Sequence, residues 1–463
     1  MYEMSDNLYN YDIFPIVIPV GKKTEVRIRP LGGRREFEPG KAYKTIVCAL
    51  DNGAPWYFPA TADFKESETV CDDEGGFTVP VCFDSEQEYF LRFEGEDGKR
   101  INQFSVYAVA DDLVGRYPFI GDLHMHTLLS DGRQTPEVVA ANYRRHGYDF
   151  TVISDHRRYY PSLRAIDAYK DVPIEFNIVP GEEVHMPPVY GKHNDVHIVN
   201  FGGEYSINAL TEGESHKEMG DDASVRSLYG KCPDYMEYED YQKMITELSE
   251  KEDVPENVDL IPYTLCKWVF NEIKKANGLA IYAHPTWRAN VYHVPEAFSD
   301  YLFEKQDFDA FEVLGGENYF EQNGFQTVRY YEETAKGRHI PVVGSTDSHN
   351  SYPTNRNAYI CSTIIFSPEN ERKALIGSVK DFYSVAVDTI SKEFRLVGES
   401  RFVRYGCFLL KHFFPRHDEL SYEEGRLMKQ YVTGTEDEKQ EAAKMIEAIS
   451  GRMKKQREKY FAF

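Results

Sequence analysis

Histidine and carboxylate residues recur in the middle of the chain, each time at or near the end of a short apolar run. His124 and His126 are separated by one residue, and in a β-strand this spacing points both imidazoles to the same face. Similar motifs follow at Asp131, Ser154-Asp155-His156, Gly181-Glu182-Glu183, His197, His284-Pro285 and Asp347-Ser348-His349. Imidazole nitrogens and carboxylate oxygens together suit zinc, manganese or iron. The spacing therefore predicts a metal centre.

Basic residues flank several of these motifs and could contact an anionic substrate. Arg157, Arg158 and Arg288 lie just past donor motifs, where a guanidinium could hold a phosphate through two hydrogen bonds or simply offset nearby carboxylates. His185 and His193 lie in the loop after the Gly-Glu-Glu motif. They could bind substrate, protonate a leaving group or be ordinary exposed histidines. These five residues are candidates for substrate binding, each with a structural alternative.

Two carboxylates are candidates for supporting roles near the donors. Asp155 could orient the neighbouring His156 or only cap the turn after its strand. Glu312 ends a further predicted strand and faces the same side as the donors. None of the seven cysteines lies in one of these motifs.

The elements that carry these motifs must bring them together. Between residues 118 and 394, short apolar runs alternate with amphipathic stretches, which predicts an α/β fold with strands, helices and a parallel sheet. The number of units favours a closed or nearly closed barrel, in which chemistry takes place at the carboxyl ends of the strands. Because six predicted strand ends supply His, Asp or Glu, we expect the donors to converge on one face.

Three other regions differ from this pattern. Residues 1–117 contain short alternating runs between Gly, Pro and Asp turns, which predicts a β-sandwich-like domain with a structural, docking or ligand-binding role. Residues 203–259 form an insertion with 16 acidic and 5 basic residues, either a surface excursion or a lid over the site. Residues 395–463 predict a helical C-terminal extension. Its stretch 436–461 is predicted as one long amphipathic helix, suited to packing or to forming a homo-oligomer.

Composition excludes several classes of protein. The length of 463 residues corresponds to about three domains, and 41% hydrophobic and 14% aromatic residues exclude a disordered chain. A net charge of −23 opposes a main function in binding nucleic acid or anionic membrane. No apolar stretch approaches the roughly 20 residues of a membrane span, and no signal peptide is visible. Without a Cys-x-x-Cys pair, we expect reduced thiols in a cytoplasmic protein.

The donor motifs resemble those of the PHP (polymerase and histidinol phosphatase) superfamily of metal-dependent phosphoesterases. The resemblance covers residues 120 to 390 and includes the motifs in family order. It implies a distorted (β/α)7 TIM-like barrel. One departure is the pair Arg157-Arg158, which stands where the family frequently has Asp or Asn.

The same resemblance implies a site for two to three divalent ions of zinc, manganese or iron. Family spacing favours Glu183 over Glu182 as the shared carboxylate. The implied donor sets are His124, His126, Glu183 and Asp347 for one ion, Glu183, His197 and His284 for a second, and Asp131, His156 and His349 for a third.

Family chemistry predicts hydrolysis of a phosphate ester by a hydroxide held between two cations, without a protein nucleophile. We expect a small phosphorylated metabolite or nucleotide as substrate, because the insertion's net charge of −11 repels a long polyanion. One alternative is a nuclease or exonuclease acting on nucleic-acid ends, which needs a basic groove. The other is a non-catalytic metal-binding interaction module. This alternative would be favoured if some of the predicted metal ligands were missing.

Overall fold

The computed structural model describes residues 7–33, 36–51, 64–211, 226–288, 290–315, 320–352, 359–389 and 395–463. The chain divides into two compact units. The first consists of Met1–Tyr117, Ser400–Leu420 and Gly451–Phe463, and the second of Pro118–Glu399 and Ser421–Ser450. The division into segments 1–117, 118–394 and 395–463 stays a prediction, because compactness does not show which segments fold alone.

The first unit begins with one short helix and eight strands. They are α1 (Asn7–Asn10), β1 (Tyr11–Phe14), β2 (Val17–Pro19), β3 (Thr24–Pro30), β4 (Ala42–Ala49), β5 (Lys65–Val70), β6 (Phe77–Val81), β7 (Gln87–Glu94) and β8 (Arg100–Val109). The residues of β6 alternate between buried and exposed, as expected for a strand with one face on a core.

These strands form two sheets, in the orders β1-β3-β6 and β2-β8-β7-β4-β5. The pairs of both sheets are antiparallel apart from β2 with β8. Aromatic rings from the two sheets pack together: Phe77 on β6 stacks on Phe93 of β7 with ring centroids 4.2 Å apart. The sandwich arrangement itself stays a prediction.

The second unit is a mixed α/β structure with two curved sheets. Its strands are β9 (Tyr117–Asp122), β10 (Phe150–Val152), β11 (Asn177–Val179), β12 (Gly181–Val184), β13 (Ile198–Phe201), β14 (Leu279–Tyr282), β15 (Ala310–Leu314), β16 (Val342–Gly344), β17 (Cys361–Ser367), β18 (Ser384–Asp388) and β19 (Arg395–Val397). Its helices are α2 (Pro136–Arg145), α3 (Tyr160–Ala168), α4 (Tyr238–Ser249), α5 (Leu260–Lys275), α6 (Glu296–Lys305), α7 (Phe320–Ala335) and α8 (Arg372–Lys380).

The predicted parallel sheet is found only in part, because parallel and antiparallel pairs are mixed. The sheets have the orders β11-β10-β9-β17-β18-β19 and β12-β13-β14-β15-β16. Within them, β13 runs antiparallel to β12 and β14, and β18 runs antiparallel to β17 and β19. A parallel pair needs a long crossover, usually a helix. The described residues 185–197 between β12 and β13 contain no helix, so these strands pair as a wide hairpin.

Isolated bridges join the two sheets at their edges. Met125 pairs with Ser348, next to β9 and beyond β16, and His156 pairs with Glu183, between β10 and β12. The result is a curled half-barrel. A complete (β/α)7 barrel is not confirmed by the hydrogen-bonded strands of the described ranges.

The acidic insertion is described only in part. Residues 203–211 contain a short 3-10 helix, Asn208–Leu210, and residues 226–259 contain α4. Residues 212–225, which include five of its acidic side chains, lie outside the described residues. The lid therefore stays a prediction.

Four helices end the chain: α9 (Ser400–His412), α10 (Phe414–Thr433), α11 (Glu436–Ile449) and α12 (Arg452–Tyr460). The single helix predicted over 436–461 is wrong, because Gly451 has the left-handed φ of +82° and separates α11 from α12. Among the described residues, no helix is long and apolar enough to cross a membrane.

Candidate metal centre

One donor group is assembled by the bridge between the ends of β9 and β16. The Asp347 amide donates to the His124 carbonyl at 2.9 Å, and the His126 amide donates to the Ser348 carbonyl at 2.9 Å. Asp347 has a left-handed φ of +49°, a conformation that a non-glycine residue adopts only at a cost. This backbone brings the His124, His126 and Asp347 side chains into one group of donors.

A second bridge holds the β10 and β12 segments together. The Glu183 amide donates to the Ser154 carbonyl at 3.1 Å, and the Arg157 amide donates to the Glu183 carbonyl at 3.0 Å. Arg157 has a φ of +62°, so the chain turns sharply directly after His156. The bridge places the side chains of His156 and Glu183 against each other.

Glu183 is the centre of the site and is fully buried. Five imidazole nitrogens surround its carboxylate. At Oε2 they are His156 Nδ1 at 2.6 Å, His124 Nε2 at 3.4 Å and His126 Nε2 at 3.5 Å, and at Oε1 they are His197 Nδ1 at 2.7 Å and His185 Nε2 at 3.5 Å. A single carboxylate therefore connects donors from several separate segments.

The neighbouring Glu182 points to the opposite face of β12, as period-2 alternation requires. Its carboxylate accepts hydrogen bonds from the Ser206 hydroxyl at 2.7 Å, the Asn208 amide at 2.9 Å and the Asn200 amide at 3.1 Å. These contacts fix the loop after β13. Glu182 therefore lies away from the imidazoles that surround Glu183.

Asp347 is the second carboxylate of the centre. Its Oδ1 lies 2.8 Å from His126 Nε2 and 3.4 Å from His124 Nε2, and its Oδ2 lies 3.7 Å from His284 Nε2. His284 follows β14 with a φ of +21°, which is another strained backbone position at a donor. His124 and His284 stack with ring centroids 5.3 Å apart.

A more exposed group lies beside these two. Asp131 Oδ2 lies 3.3 Å from His349 Nε2 and 3.5 Å from His156 Nε2. With His126 they form a compact set of four possible donors. The Asp131 side chain is 55% exposed, so this group is the one open to solvent.

Two carboxylates support the donors without joining these groups. Glu312 is buried on β15, and its Oε2 lies 3.1 Å from His124 Nδ1, where it can orient the ring. Asp155 accepts hydrogen bonds from the Thr127 amide and hydroxyl, at 2.7 and 2.6 Å, and from the Ser130 hydroxyl. Asp155 thus braces the turn that leads to Asp131.

The two loop histidines are in different places. His185 lies inside the cluster, with Nε2 3.0 Å from His156 Nδ1. His193 is exposed and belongs to no donor group among the residues that the structure describes.

The three candidate arginines differ in burial and in their contacts. Arg157 is partly buried directly beside His156, and burial lowers the pKa of its guanidinium. The Arg158 amide donates to the Asp155 carbonyl at 3.2 Å. Arg288 is 54% exposed, with Nη2 3.3 Å from a Glu321 carboxylate oxygen, so its charge is already offset.

Two residues near the donors were missed by the sequence reasoning. Trp287 and His293 pack together with ring centroids 4.1 Å apart, and they lie 5.8 and 5.6 Å from the ring of His197. The only signal in the sequence was the short distance of both residues from His284 along the chain. Their rings therefore lie beside His197.

Charges in the cluster are strongly coupled. Burial disfavours the Glu183 carboxylate, but the charges of His156 and His197 hold its pKa well below the usual range. Burial also opposes a charged His156, yet Glu183 and Asp131 raise the pKa of this imidazole to about 10. Burial lowers the pKa of His284 to about 3. Binding of a metal ion by His156 would therefore release a proton, whereas Glu183 and His284 are already deprotonated near neutral pH.

The donor atoms fit divalent ions. His124 Nε2, His284 Nε2 and both Glu183 oxygens are buried and have no hydrogen-bond partner within the described ranges. Buried polar atoms are normally paired, because an unpaired one costs about 1–3 kcal/mol. Lone pairs that converge without hydrogen-bonding geometry are what a metal ion would satisfy.

No protein-family model matches the chain, and no curated protein matches it. Part of the chain is similar to solved structures of PHP-like phosphoesterases. A two-domain protein from Bacteroides vulgatus, containing a predicted PHP-like metal-dependent phosphoesterase, is 15% identical over 59% of this chain, with a TM-score of 0.37. The similarity spans 65% of that protein. An amidohydrolase from Chromobacterium violaceum with bound sulfate and no metal is 19% identical over 50% of this chain and 88% of its own, with a TM-score of 0.30.

Proposed function

We propose that the protein is a metal-dependent hydrolase of small phosphate esters. The observation that carries this proposal is the Glu183 carboxylate, which is fully buried, has no hydrogen-bond partner in the described parts of the chain and is surrounded by imidazoles. A purely structural Glu would be hydrogen-bonded, as its neighbour Glu182 is. The nine residues predicted as donors are the proposed ligands of two to three ions of zinc, manganese or iron.

The residues around the centre have distinct proposed roles. Divalent ions bound there would polarise the phosphoryl group and lower the pKa of water. Glu183 and Asp347 would be among the side chains that hold the ions, and Glu312 would fix the His124 ring. Arg157 is the proposed phosphate-binding side chain, because it follows a donor directly and is partly buried. Water cleaves the ester to an alcohol and inorganic phosphate, with no covalent bond to the protein.

A small substrate follows from charge. The insertion 203–259, which we predict to border the site, has a net charge of −11, and this charge would repel a long polyanion. A nuclease acting on nucleic-acid ends is therefore the second candidate. A non-catalytic module is the third, and the presence of all predicted donors argues against it.

The first experiment measures metal content and phosphate release together. We expect at least two divalent ions per purified chain, and release of phosphate from p-nitrophenyl phosphate or from a mononucleotide. Fewer than two ions, with no turnover after manganese or zinc addition, would refute the enzymatic proposal. A salt-sensitive preference for a 5′-phosphorylated oligonucleotide over a mononucleotide would favour the nuclease instead.

A further inference from the structure

His185 is held in the centre by its own backbone. It follows β12 directly, and its amide donates to the Asn208 side-chain oxygen at 3.0 Å. The same Asn208 side chain donates to Glu182. The His185 side chain is 19% exposed, and it is therefore positioned by buried contacts rather than by a free loop.

The imidazole of His185 faces two of the predicted donors. Its Nε2 lies 3.0 Å from His156 Nδ1 and 3.5 Å from Glu183 Oε1, and the three residues form a compact group of possible ligands. His197, predicted for this side of Glu183, belongs to no such group among the described residues, although its Nδ1 contacts Glu183 Oε1.

His156 cannot bind metal ions through both of its ring nitrogens at once. Its Nε2 faces Asp131, while its Nδ1 faces Glu183 and His185. A neutral imidazole has a single lone pair. When His156 binds with Asp131 and His349 through Nε2, its Nδ1–H can only donate. On the Oε1 side of Glu183, the imidazole nitrogens within reach are His197 Nδ1 at 2.7 Å and His185 Nε2 at 3.5 Å.

We propose that His185 is a metal ligand on the Oε1 side of Glu183, in addition to the nine residues implied by the family resemblance. This inference rests on the proposed metal-dependent function. In this proposal, the His185 side chain binds a metal ion rather than the substrate. The competing role is purely orienting, in which His185 only accepts a hydrogen bond from His156.

The test titrates Co²⁺ into the metal-free full-length protein and follows the visible ligand-field spectrum and the affinity. We expect His185→Gly to lose at least about tenfold in affinity for one ion, since even an orienting partner contributes that much. We also expect a changed spectrum, which imidazole added to His185→Gly restores. His193→Gly is the matched control, because His193 is an exposed histidine of the same loop.

The outcomes separate the two proposals. If the wild-type protein binds no Co²⁺, both the function and the role of His185 are wrong. If the wild type binds Co²⁺ and His185→Gly keeps the wild-type spectrum, His185 is not a ligand, while the hydrolase proposal stands. If His185→Gly fails to fold, the less disruptive variant His185→Asn is tested by the same titration.

Discussion

At the scale of single residues, the alternation of side chains along β12 gives two adjacent glutamates different surroundings. Glu182 and Glu183 are both fully buried on β12, but they point to opposite faces. One is tied by hydrogen bonds to the loop after β13, and the other lies among imidazoles. Identical side chains one position apart therefore have different surroundings.

Glu183→Gln should lose bound metal and hydrolysis together, because an amide nitrogen cannot replace the second carboxylate oxygen as a ligand. Glu182→Gln is the matched control. An amide there keeps one accepting oxygen and lies away from the imidazoles, so we expect a metal content well above that of Glu183→Gln. Metal analysis after dialysis measures both. Equal metal loss in the two variants would contradict the assignment.

A second residue-scale prediction concerns His412 on α9, outside the centre. The ring is buried against Phe408, with centroids 4.7 Å apart, and burial lowers its pKa to about 3. An unfolded histidine titrates near 6.5, so between these values the unfolded chain binds the additional proton. The stability due to a neutral His412 is complete above about pH 6.5 and is lost as the pH falls towards 3.

His412→Leu should remove this acid sensitivity. Relative to wild type, its free energy of unfolding should rise by up to about 1.4 kcal/mol for each pH unit below 6.5. Urea unfolding between pH 7.5 and 5 measures the difference, with exposed His193→Leu as the control. A constant difference between His412→Leu and wild type across this range would show that His412 is not kept neutral by the fold.

At the scale of elements, the sequence predicted best what depends on local spacing. The pair His124 and His126 shares a face because strand periodicity is fixed, and α2 begins at Pro136 because proline suits the first helical turn. Strand direction was not predictable in this way, since it depends on how the connections pack. Nor was the position of His185, whose backbone amide donates a hydrogen bond to the side-chain oxygen of Asn208, 23 residues further along.

The break between α11 and α12 could have been predicted, because Gly451 is the residue that permits it. Gly451→Ala should lower the free energy of unfolding by about 1–2 kcal/mol, since its φ of +82° is unfavourable for any residue with a Cβ. Gly377→Ala in α8 is the control. A Cβ there meets open space in an ordinary helix, and we expect no loss or a gain of about 0.5–1 kcal/mol. Thermal unfolding of both variants checks this, and equal losses would rule out backbone strain as the cause.

At the scale of the whole molecule, the C-terminal helices are divided between the two compact units. The second unit includes the end of α10 and all of α11, and Leu427, Met428 and Ile446 lie in the same apolar core as Val139 of α2. Gly425 allows the close approach of α10, because a Cβ there would lie 2.1 Å from the Arg145 amide nitrogen. Formation of a homo-oligomer through these helices stays a prediction.

A buried ion pair between α2 and α10 allows the contribution of this contact to stability to be measured. Arg144 on α2 is fully buried, and its Nε donates to Glu424 of α10 at 2.5 Å, with Asp149 at 3.2 Å as a second carboxylate. Glu424→Gln leaves a buried guanidinium with half of its compensating charge, and loss of one partner of a buried ion pair costs about 3–5 kcal/mol. Glu423→Gln, at the adjacent and less buried position, should change stability by less than about 0.5 kcal/mol. If chemical unfolding shows equal stability for both variants, the Arg144–Glu424 ion pair does not stabilise this unit. A large loss for Glu424→Gln alone would show that the contact between α2 and α10 stabilises the unit that contains the candidate metal centre, although neither residue is a donor.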